Sequence, residues 1–528
     1  MKKILLIQPR PPESIWTLKV SCEIAKVSAL TAPLGLATLA ALTPSQYDVQ
    51  IVDESVESID FDIDCDLVGI TGYTVHSERM IEISKEFQKR GVLTVAGGAF
   101  CSSHPQVAQE HFDVVVKGEA ERIWGQFLED WDSGDFKSFY EEPGKIDLLN
   151  DPSPKPRWDL VKSDRYMVHA VQTTRGCPYN CEFCDVVSLF GQKSRHKTVE
   201  QVIEEVKDLA KRDVIEIFFA DDNFIGNKKY AKSLLRALIE LNATLKISLR
   251  FITQATLNCA EDEELMDLFK RANFFAMFVG IETPSHESLK SANKQHNIRI
   301  DMVQSVRNIQ KRGILVVSGM IVGFDTDDID IFEAQKEFIM KSGLVVPMVG
   351  MLMAPKGTRL WDRLEKENRL EGPEVGDSFK STNIIPKLMS KEVMVKKYLE
   401  LLEVIYSDDF FRKTFKIMME QIDVDAIRKE SAVANALSPR RAHFRLTMLG
   451  LRIVRSYLFS SKTDRKLMFD ILSMSIRKSI FCIPLGMSAL IFFKSNATFF
   501  KTQSYTLEDN SPQPEIAAAS VAEATALR

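Results

Sequence analysis

Short apolar segments alternate with amphipathic helical segments through the middle of this 528-residue chain. The helical segments 199–212, 228–241, 262–272 and 302–312 repeat apolar residues every three to four positions. The apolar segments between and around them have the length of strands and cover residues 168–174, 215–220, 247–254, 274–281, 314–323 and 345–353. Repeated strand–helix units predict a partial (β/α)6 barrel over residues 160–371, with its chemistry at the carboxyl ends of the strands.

The first 150 residues show the same alternation on a smaller scale. Helical segments are predicted at residues 34–42 and 77–90, and strands at residues 4–8, 49–53, 67–71, 93–97 and 114–116. The pattern predicts a Rossmann-like, doubly wound parallel sheet over residues 1–150. Several of these strands end in glycines, which either serve tight turns only or let a ligand approach the sheet edge closely. The proline-rich residues 151–157 predict a linker to the barrel.

Residues 372–502 change character to helices rich in both Lys/Arg and Phe/Leu/Met. Residues 444–459 are basic and amphipathic, and residues 480–493 form a nearly uninterrupted apolar run. A bilayer span needs about 20 apolar residues. The run therefore favours a buried core helix over a membrane-surface contact, and either of these over a spanning helix. The small, polar tail at residues 503–528 is predicted to be disordered.

Charge and cysteine usage limit the classes of protein. The formal net charge of −5, without a basic excess, argues against a nucleic-acid binder. Three of the eight cysteines fall between residues 177 and 184 and the rest are scattered, unlike a secreted disulfide framework. The N-terminal lysines precede only a short apolar segment and a proline-rich turn, so a first strand is predicted there and not a signal peptide. We therefore expect a protein of the reducing cytoplasm.

Cys177, Cys181 and Cys184 follow the first predicted barrel strand with a Cys-x3-Cys-x2-Cys spacing. Thiolates suit iron–sulfur clusters, and three on one loop leave the fourth iron of a [4Fe–4S] cluster open. That iron can chelate the amino and carboxylate groups of S-adenosylmethionine (SAM), and an electron from the cluster can then cleave a carbon–sulfur bond. Three alternatives stay open: a zinc site, which commonly has four protein ligands, buried free cysteines, and a four-cysteine cluster with Cys259 as the nearest fourth ligand.

This loop, placed after the first strand of a βα repeat, resembles that of the radical SAM superfamily. The resemblance implies SAM-binding positions at Phe183 beside the adenine, Asp221 and Asp222 at the amino group, Gln254 and Glu282 at the ribose and amino-acid portion, and Lys294 at the carboxylate. It also places residues 319–323 beside the adenine. The superfamily usually has Gly-Gly-Glu where this chain has Asp-Asp-Asn, so the match is incomplete there. Taken without the resemblance, each carboxylate is equally a helix N-cap or a solvated loop residue.

A Rossmann-like domain directly before such a barrel resembles the cobalamin-binding subclass of the superfamily. The resemblance implies cobalamin-binding positions at Gly35, Thr71, Gly72, Gly97, Gly98, Gly118 and Glu119. The chain lacks an Asp-x-His-x-x-Gly loop, through which other cobalamin proteins give a histidine to cobalt. We therefore expect cobalamin without a histidine from such a loop on its lower face.

The whole architecture, including the C-terminal extension, is similar to the hopanoid methylases, and residues 184–197 and 218–228 carry much of this likeness. It implies a cobalamin-dependent radical SAM methyltransferase that methylates an unactivated carbon of a hydrophobic, hopanoid-type lipid. An enzyme of this kind needs an electron donor such as flavodoxin or ferredoxin. The basic amphipathic segment and the apolar run of the extension add the expectation that this cytoplasmic enzyme has peripheral contact with the inner membrane surface.

Two other functions stay open at this point. One is a radical SAM cyclase or rearrangement enzyme that acts on another lipid or a pigment. The other is a non-catalytic cobalamin or redox sensor, which would not need SAM contacts at the strand ends. The sequence singles out no catalytic residue beyond those that hold cofactors.

Overall fold

The computed structural model describes residues 1–151, 153–245, 248–372, 374–425 and 450–502. The strands are, in chain order, β1 (Lys3–Gln8), β2 (Ala29–Thr31), β3 (Asp48–Asp53), β4 (Leu67–Thr71), β5 (Leu93–Gly97), β6 (Val114–Lys117), β7 (Phe139–Glu141), β8 (Tyr166–Val171), β9 (Thr174–Arg175), β10 (Arg195–His196), β11 (Glu216–Phe219), β12 (Arg250–Ala255), β13 (Phe274–Glu282), β14 (Leu315–Val322) and β15 (Val346–Met351). The parts of the sequence predictions that lie outside the described residues are Pro152 of the linker, Ile247 of a strand, residues 373 and 426–449 of the C-terminal helical domain, which include 444–449 of the amphipathic segment, and the tail 503–528.

The first sheet has the strand order β3-β1-β4-β5-β6-β7, and all of its neighbouring strands are parallel. Its helices are Leu34–Leu42, Ser77–Gln88, Ala99–Ser103, Pro105–Gln109 and Ala120–Ser133. The chain adds β3 on one side of β1 and β4 on the other. The strand order thus reverses at β1, and ligands of such sheets bind at this switch point. The predicted Rossmann-like fold is confirmed, and the short edge strand β7 is an addition that the sequence did not predict.

The second sheet has the order β15-β14-β13-β12-β11-β8-β2 and is also parallel. Its main helices are Val199–Lys211, Lys228–Thr244, Glu263–Arg271, Met302–Lys311 and Ile331–Ser342. Four of these begin after a residue whose side chain accepts a hydrogen bond from the first turn: Thr198, Asn227, Asp262 and Asp301. All six predicted barrel strands are present, so the partial barrel is confirmed.

The seventh strand of the barrel sheet, β2, comes from the N-terminal region and pairs with β8. The sequence did not predict it, because Ala29–Thr31 is short and is stabilised by a partner more than a hundred residues away. The adjoining helix Lys19–Ala25 packs against the C-terminal helix Ile483–Thr502, which also contacts β15. The C-terminal helix therefore spans the gap between the two edge strands, β2 and β15, of the partial barrel.

The C-terminal helices are Arg359–Lys366, Lys391–Ile405, Asp408–Gln421, residues 450–458, Lys462–Lys478 and Ile483–Thr502. Among the described residues, the segment Ile480–Thr502 alone is long and apolar enough to cross a membrane, by length and composition only, and 50% of that window is buried inside the protein. Phe493 stacks on Phe411 with ring centroids 4.1 Å apart, and the hydroxyls of Ser495 and Ser21 lie 2.7 Å apart. This packing agrees with the predicted core helix.

Replacing Phe493 with Ala should lower the melting temperature (Tm) of detergent-free protein substantially, because losing a buried phenylalanine ring costs about 3–5 kcal/mol. The matched control is Phe469→Ala, whose ring is 55% exposed and whose loss should change stability by less than about 0.5 kcal/mol. Thermal unfolding of both variants measures the difference. Equal small shifts would mean that the C-terminal helix is not part of the core.

Candidate active site and cofactor sites

The cysteine loop begins directly after β9, which pairs antiparallel with β10 and so closes the base of the loop. The amide of Cys177 donates to the carbonyl of Gly191 across this base, at 3.3 Å. Gly176 has φ +86°, and a Cβ there would lie 2.7 Å from the same carbonyl. Only glycine fits such a position without displacing backbone, so the residue before the first cysteine fixes how the loop turns.

The three cysteines are partly buried and unpaired, and burial raises the pKa of each thiol. A bound metal overcomes this because a coordinating thiol is deprotonated outright. Among the described residues no three Cys, His, Asp or Glu side chains converge on one point as a single ion requires. A cluster does not need that convergence, since each thiolate binds a different iron. The loop therefore fits a [4Fe–4S] cluster.

Cys259 is not a candidate fourth ligand. Its side chain is fully buried, and its sulfur lies 3.7 Å from the sulfur of Met277 in the core of the barrel domain. The four-cysteine alternative from the sequence therefore does not hold.

The segment after β11 supports the cysteine loop from behind. Asp221 is buried, and its two oxygens accept from the backbone N–H groups of Thr173 and Thr174 and from the Thr173 hydroxyl. Asp222 accepts from the amide of Gly176 at 2.7 Å. Burial raises the pKa of both carboxyl groups to about 6. The structure thus gives Asp221 a role in holding the loop, where the resemblance had implied contact with SAM.

Asn223 is a functional candidate that the sequence reasoning did not single out. Its amide nitrogen lies 3.9 Å from the sulfur of Cys177 and 3.4 Å from the hydroxyl of Thr256. A hydrogen bond to a ligating sulfur stabilises the thiolate and tunes the cluster. Its place directly after two predicted acids at a strand end was the signal that could have identified it.

Glu282 and Lys294 form a buried ion pair at the carboxyl end of β13. Burial opposes the charge on Lys294, but the Glu282 carboxylate and the Cys181 thiol raise its pKa. Glu282 has φ +66°, a strained conformation that often marks a functional site. A Cβ on Gly280 would lie 2.9 Å from Lys294 Nζ. The absence of a side chain at Gly280 therefore leaves space for the two charged groups themselves. An adjacent carboxylate and ammonium group are complementary to the amino and carboxylate groups of an amino acid, such as the methionine portion of SAM.

The other two predicted SAM positions are Phe183 and Gln254. Phe183 contacts Phe324, which follows β14, with ring centroids 5.9 Å apart in a T-shaped arrangement. Gln254 lies near the end of β12, and its carbonyl accepts from the amide of Phe224. The described structure thus brings the cysteine loop, Asp222, Glu282 and Lys294 to one end of the barrel, with Phe183 and Gln254 beside them.

The glycines predicted to bind cobalamin lie at the carboxyl ends of neighbouring strands. Thr71 and Gly72 end β4, Gly97 and Gly98 end β5, and Gly118 follows β6, while Gly35 lies in the first turn of helix Leu34–Leu42. A Cβ on Gly97 would meet no atom closer than 3.8 Å, and one on Gly35 would meet none within 4 Å. The fold itself does not require glycine at these two positions, so the open space fits a ligand cradle.

Glu119, the last of the predicted cobalamin-binding positions, contacts protein groups at the base of the cysteine loop. It is buried, and its carboxylate accepts from Arg195 at 2.7 Å and from the amide of Ile146 at 2.6 Å. Arg195 belongs to β10 at the base of the cysteine loop, so a carboxylate must be nearby to offset its buried charge. Glu119 therefore joins the two domains, and its contact with cobalamin stays a prediction.

Tyr73 lies directly after Gly72, in the segment 71–73 where the resemblance places a signature of the cobalamin-binding subclass. Its side chain is 67% exposed, yet surrounding protein and the carboxylates of Asp185 and Asp222 raise the pKa of its phenol. The Tyr73 ring thus lies between the Rossmann-like sheet and the cysteine loop.

Three family models match the chain. The B12 binding domain matches residues 21–127, the Radical SAM superfamily matches residues 171–339, and a domain of unknown function matches residues 358–492. These matches coincide with the two sheets and the C-terminal helices described above.

Curated relatives cover most of the chain. An uncharacterized methyltransferase of Synechocystis is 34% identical over 76% of this chain and 76% of its own length. The hopanoid C-2 methylase of Rhodopseudomonas palustris is 32% identical over 72% of this chain and 73% of its own length. The bacteriochlorophyllide d C-12(1)-methyltransferase of Chlorobaculum tepidum is 25% identical over 78% of this chain and 89% of its own length.

Two solved structures share the fold. The cobalamin-dependent SAM radical enzyme OxsB aligns with a TM-score of 0.59 and 14% identity, over 95% of this chain and 79% of its own. The radical SAM methyltransferase TsrM from Kitasatospora setae aligns with a TM-score of 0.58 and 19% identity, over 70% of this chain and 76% of its own.

A cysteine loop at the mouth of a partial barrel, beside a glycine-edged Rossmann-like sheet, defines a radical SAM enzyme that carries cobalamin. The chain belongs to the cobalamin-binding radical SAM family, and its relatives show it to be a cobalamin-dependent methyltransferase. Its cofactors are a [4Fe–4S] cluster, SAM and cobalamin. The non-catalytic sensor is thereby excluded.

Cys177→Ala, Cys181→Ala and Cys184→Ala should each lose both iron and SAM cleavage, because each thiolate holds one iron of the cluster. Anaerobically reconstituted wild-type protein should contain about four irons per chain, measured by colorimetric iron assay together with 5′-deoxyadenosine release. The control variants Cys101→Ala and Cys259→Ala, whose thiols are fully buried in hydrophobic cores, should retain iron. An iron-loaded, active Cys181→Ala protein would contradict the assignment.

Gly97→Val should weaken cobalamin binding and leave iron content and Tm unchanged, because the new side chain enters the open space at the sheet edge. The corrin absorbance that stays with the protein through gel filtration measures this. Gly125→Val is a matched control, since a Cβ at Gly125 also meets no atom within 4 Å but lies on helix Ala120–Ser133, away from the strand ends. Gly72→Val is less informative, because a Cβ there would lie 2.7 Å from that of His76. Full cobalamin retention by Gly97→Val would contradict the cradle.

Proposed function

We propose that this methyltransferase adds a methyl group to an unactivated carbon of a hopanoid-type polycyclic lipid. The observation that carries the proposal is an aromatic wall formed by Trp16, Phe278 and Phe379. The centroid of the Trp16 ring lies 5.6 Å from the ring centroid of Phe278 and 5.7 Å from that of Phe379. Trp16 is 50% exposed, so one side of its ring is available to a substrate.

The wall lies on the same side of the sheet as the SAM-binding ion pair. Side chains two apart on a strand point to the same face, so Phe278 shares a face of β13 with Gly280. A Cβ at Gly280 points at Glu282 and Lys294, which identifies this face as the one lining the barrel interior. The aromatic wall is therefore inside the barrel, next to the SAM site.

A large apolar ring system fits this wall better than a polar substrate would. Sites for small molecules are mostly apolar and aromatic with few polar groups, and exposed aromatic faces gain free energy by removing apolar surface from water. The hopanoid C-2 methylase is the 32% identical relative, and another relative methylates bacteriochlorophyllide. The shared feature of these substrates is a large, rigid and apolar ring system.

The chain's own residues bind the cofactors, orient the substrate and exclude water from the site. Three cysteines hold the cluster, Glu282 and Lys294 bind the charged portion of SAM, and the aromatic wall positions the substrate carbon. When bound, the cofactors supply an adenosyl radical that takes a hydrogen atom from the substrate, and a methyl group that replaces it. One SAM is consumed as the source of the radical and a second as the source of the methyl group, so 5′-deoxyadenosine and S-adenosylhomocysteine both accumulate.

We further propose a cytoplasmic enzyme that receives electrons from flavodoxin or ferredoxin. All eight cysteines are unpaired, as expected in a reducing compartment. The cluster must be reduced before SAM can be cleaved, and small one-electron carriers of this kind are the usual intracellular source.

Expression of the chain in a bacterium that makes unmethylated hopanoids should yield hopanoids heavier by one methyl group, detected by mass spectrometry of lipid extracts. The Cys177→Ala variant should abolish the product. A product without the methyl mass would point to cyclisation or rearrangement, and unchanged hopanoids with continued SAM cleavage would remove this substrate class from the proposal.

In the same system Trp16→Ala should reduce lipid methylation at least tenfold while 5′-deoxyadenosine release continues, because the substrate is no longer held beside the radical source. Trp131→Ala, on the outer helix of the cobalamin domain where Trp131 stacks on Tyr47, is the control and should methylate normally. Equal loss in both variants would indicate general destabilisation.

A further inference from the structure

Two consecutive C-terminal helices carry large apolar side chains on faces that no described part of the chain covers. On residues 450–458 and the following turn these are Leu451, Leu458 and Phe459, and Phe459 is 82% exposed. On helix Lys462–Lys478 they are Phe469 and Ile476, which are seven residues apart and therefore lie on one face. Large apolar side chains that are exposed together on a protein surface often mark a binding surface.

Basic side chains surround these apolar residues. Lys462 and Lys466 continue the face of Phe469 toward the start of its helix, and Arg455 lies over the ring of Phe459 at 5.9 Å. No ion pair of these three cations is found within the described part of the chain. The acidic residues of the same helix are engaged elsewhere: Asp464 pairs with Lys494 and Asp470 with Arg412. The surface is therefore both apolar and positively charged.

The opposite faces of both helices are firmly packed. Ile453 and Tyr457 on the first helix and Leu467, Met468 and Ile471 on the second are buried in the main core. The exposed residues are thus displayed by anchored helices. The neighbouring helix Ile483–Thr502 also packs into this core through Phe493 and Leu490.

We propose that Leu451, Arg455, Leu458, Phe459, Lys462, Lys466, Phe469 and Ile476, together the apolar-basic surface, dock on the anionic surface of a lipid bilayer. Lysine and arginine attract anionic headgroups, while aromatic and aliphatic side chains enter the boundary between headgroups and acyl chains. A protein partner would need acidic groups around an apolar centre, and a second copy of this chain would bring cations against cations. The bilayer satisfies both the charge and the apolar requirement.

The test is sedimentation of reconstituted full-length protein with vesicles, without any substrate. Vesicles of phosphatidylcholine with about one quarter phosphatidylglycerol should bind the protein at low salt, and pure phosphatidylcholine vesicles should bind it far more weakly. Raising the salt concentration should weaken binding to the anionic vesicles, because exposed charges are screened.

Two double variants separate the two contributions. Lys462→Gln with Lys466→Gln should weaken vesicle binding about 30-fold, because each cation near an anionic surface contributes about fivefold to the affinity. Phe469→Ser with Ile476→Ser should abolish stable binding at every salt concentration. The matched controls are two double variants on helix Lys391–Ile405, and both should bind vesicles like the wild type. One is Lys396→Gln with Lys397→Gln, and the other is Val393→Ser with Val404→Ser. All variants should retain SAM cleavage.

Absence of binding to anionic vesicles would overturn the proposal, and so would binding that the control variants reduce as much as the surface variants. Sedimentation velocity tests for a dimer of the chain. If the protein forms a dimer that the Phe469 and Ile476 changes dissociate, and if it does not bind vesicles, a second copy occupies this surface and the proposal is overturned. Because no substrate is present, these outcomes do not depend on whether the enzyme methylates a hopanoid.

Discussion

A buried cluster of opposite charges joins the cobalamin domain to the cysteine loop, and the geometry of both cofactor sites depends on it. Glu119 and Glu121 come from the start of the helix after β6, while Arg195 lies in β10 and Arg175 lies one residue before Gly176. Arg195 and Glu119 are 2.7 Å apart, and Arg175 and Glu121 are 2.6 Å apart. Removal of one partner would leave an uncompensated buried charge, which costs about 3–5 kcal/mol. The same ion pairs thus hold the cobalamin edge and the cluster loop in one fixed relation.

A fixed distance between the cobalamin edge and the cluster loop matters because both cofactors act on the same substrate carbon. A misplacement of reacting groups by about 1 Å can lower the reaction rate by two orders of magnitude. Tyr73, from the end of β4, and Asp222, behind the cysteine loop, approach each other closely enough to interact electrostatically. The end of β4 and the cysteine loop therefore lie close to each other, and both domains contribute residues to this region.

The sequence predicted those features that depend on local pattern. Strand-length apolar runs and helical periodicity located all six barrel strands, and the cysteine spacing located the cluster loop. It did not predict β2, the domain-joining role of Glu119 or the aromatic contact of Trp16. Each of these depends on a partner distant in sequence: β2 pairs with β8, Glu119 with Arg195, and Trp16 with Phe278. A short segment or a single charged residue carries no local pattern that indicates such a partner.

The C-terminal extension explains how the barrel can hold a substrate. Helix Ile483–Thr502 contacts β15 at one edge of the sheet and the N-terminal helix beside β2 at the other, so the partial barrel is closed by residues from both ends of the chain. Trp16 lies at this junction, where its segment also contacts the closing helix. In the proposed function, cofactor binding uses the strand ends, whereas the proposed substrate wall lies at the junction. Divergence at the junction can therefore change the substrate while the chemistry stays the same, as expected for a family whose relatives methylate both a hopanoid and bacteriochlorophyllides.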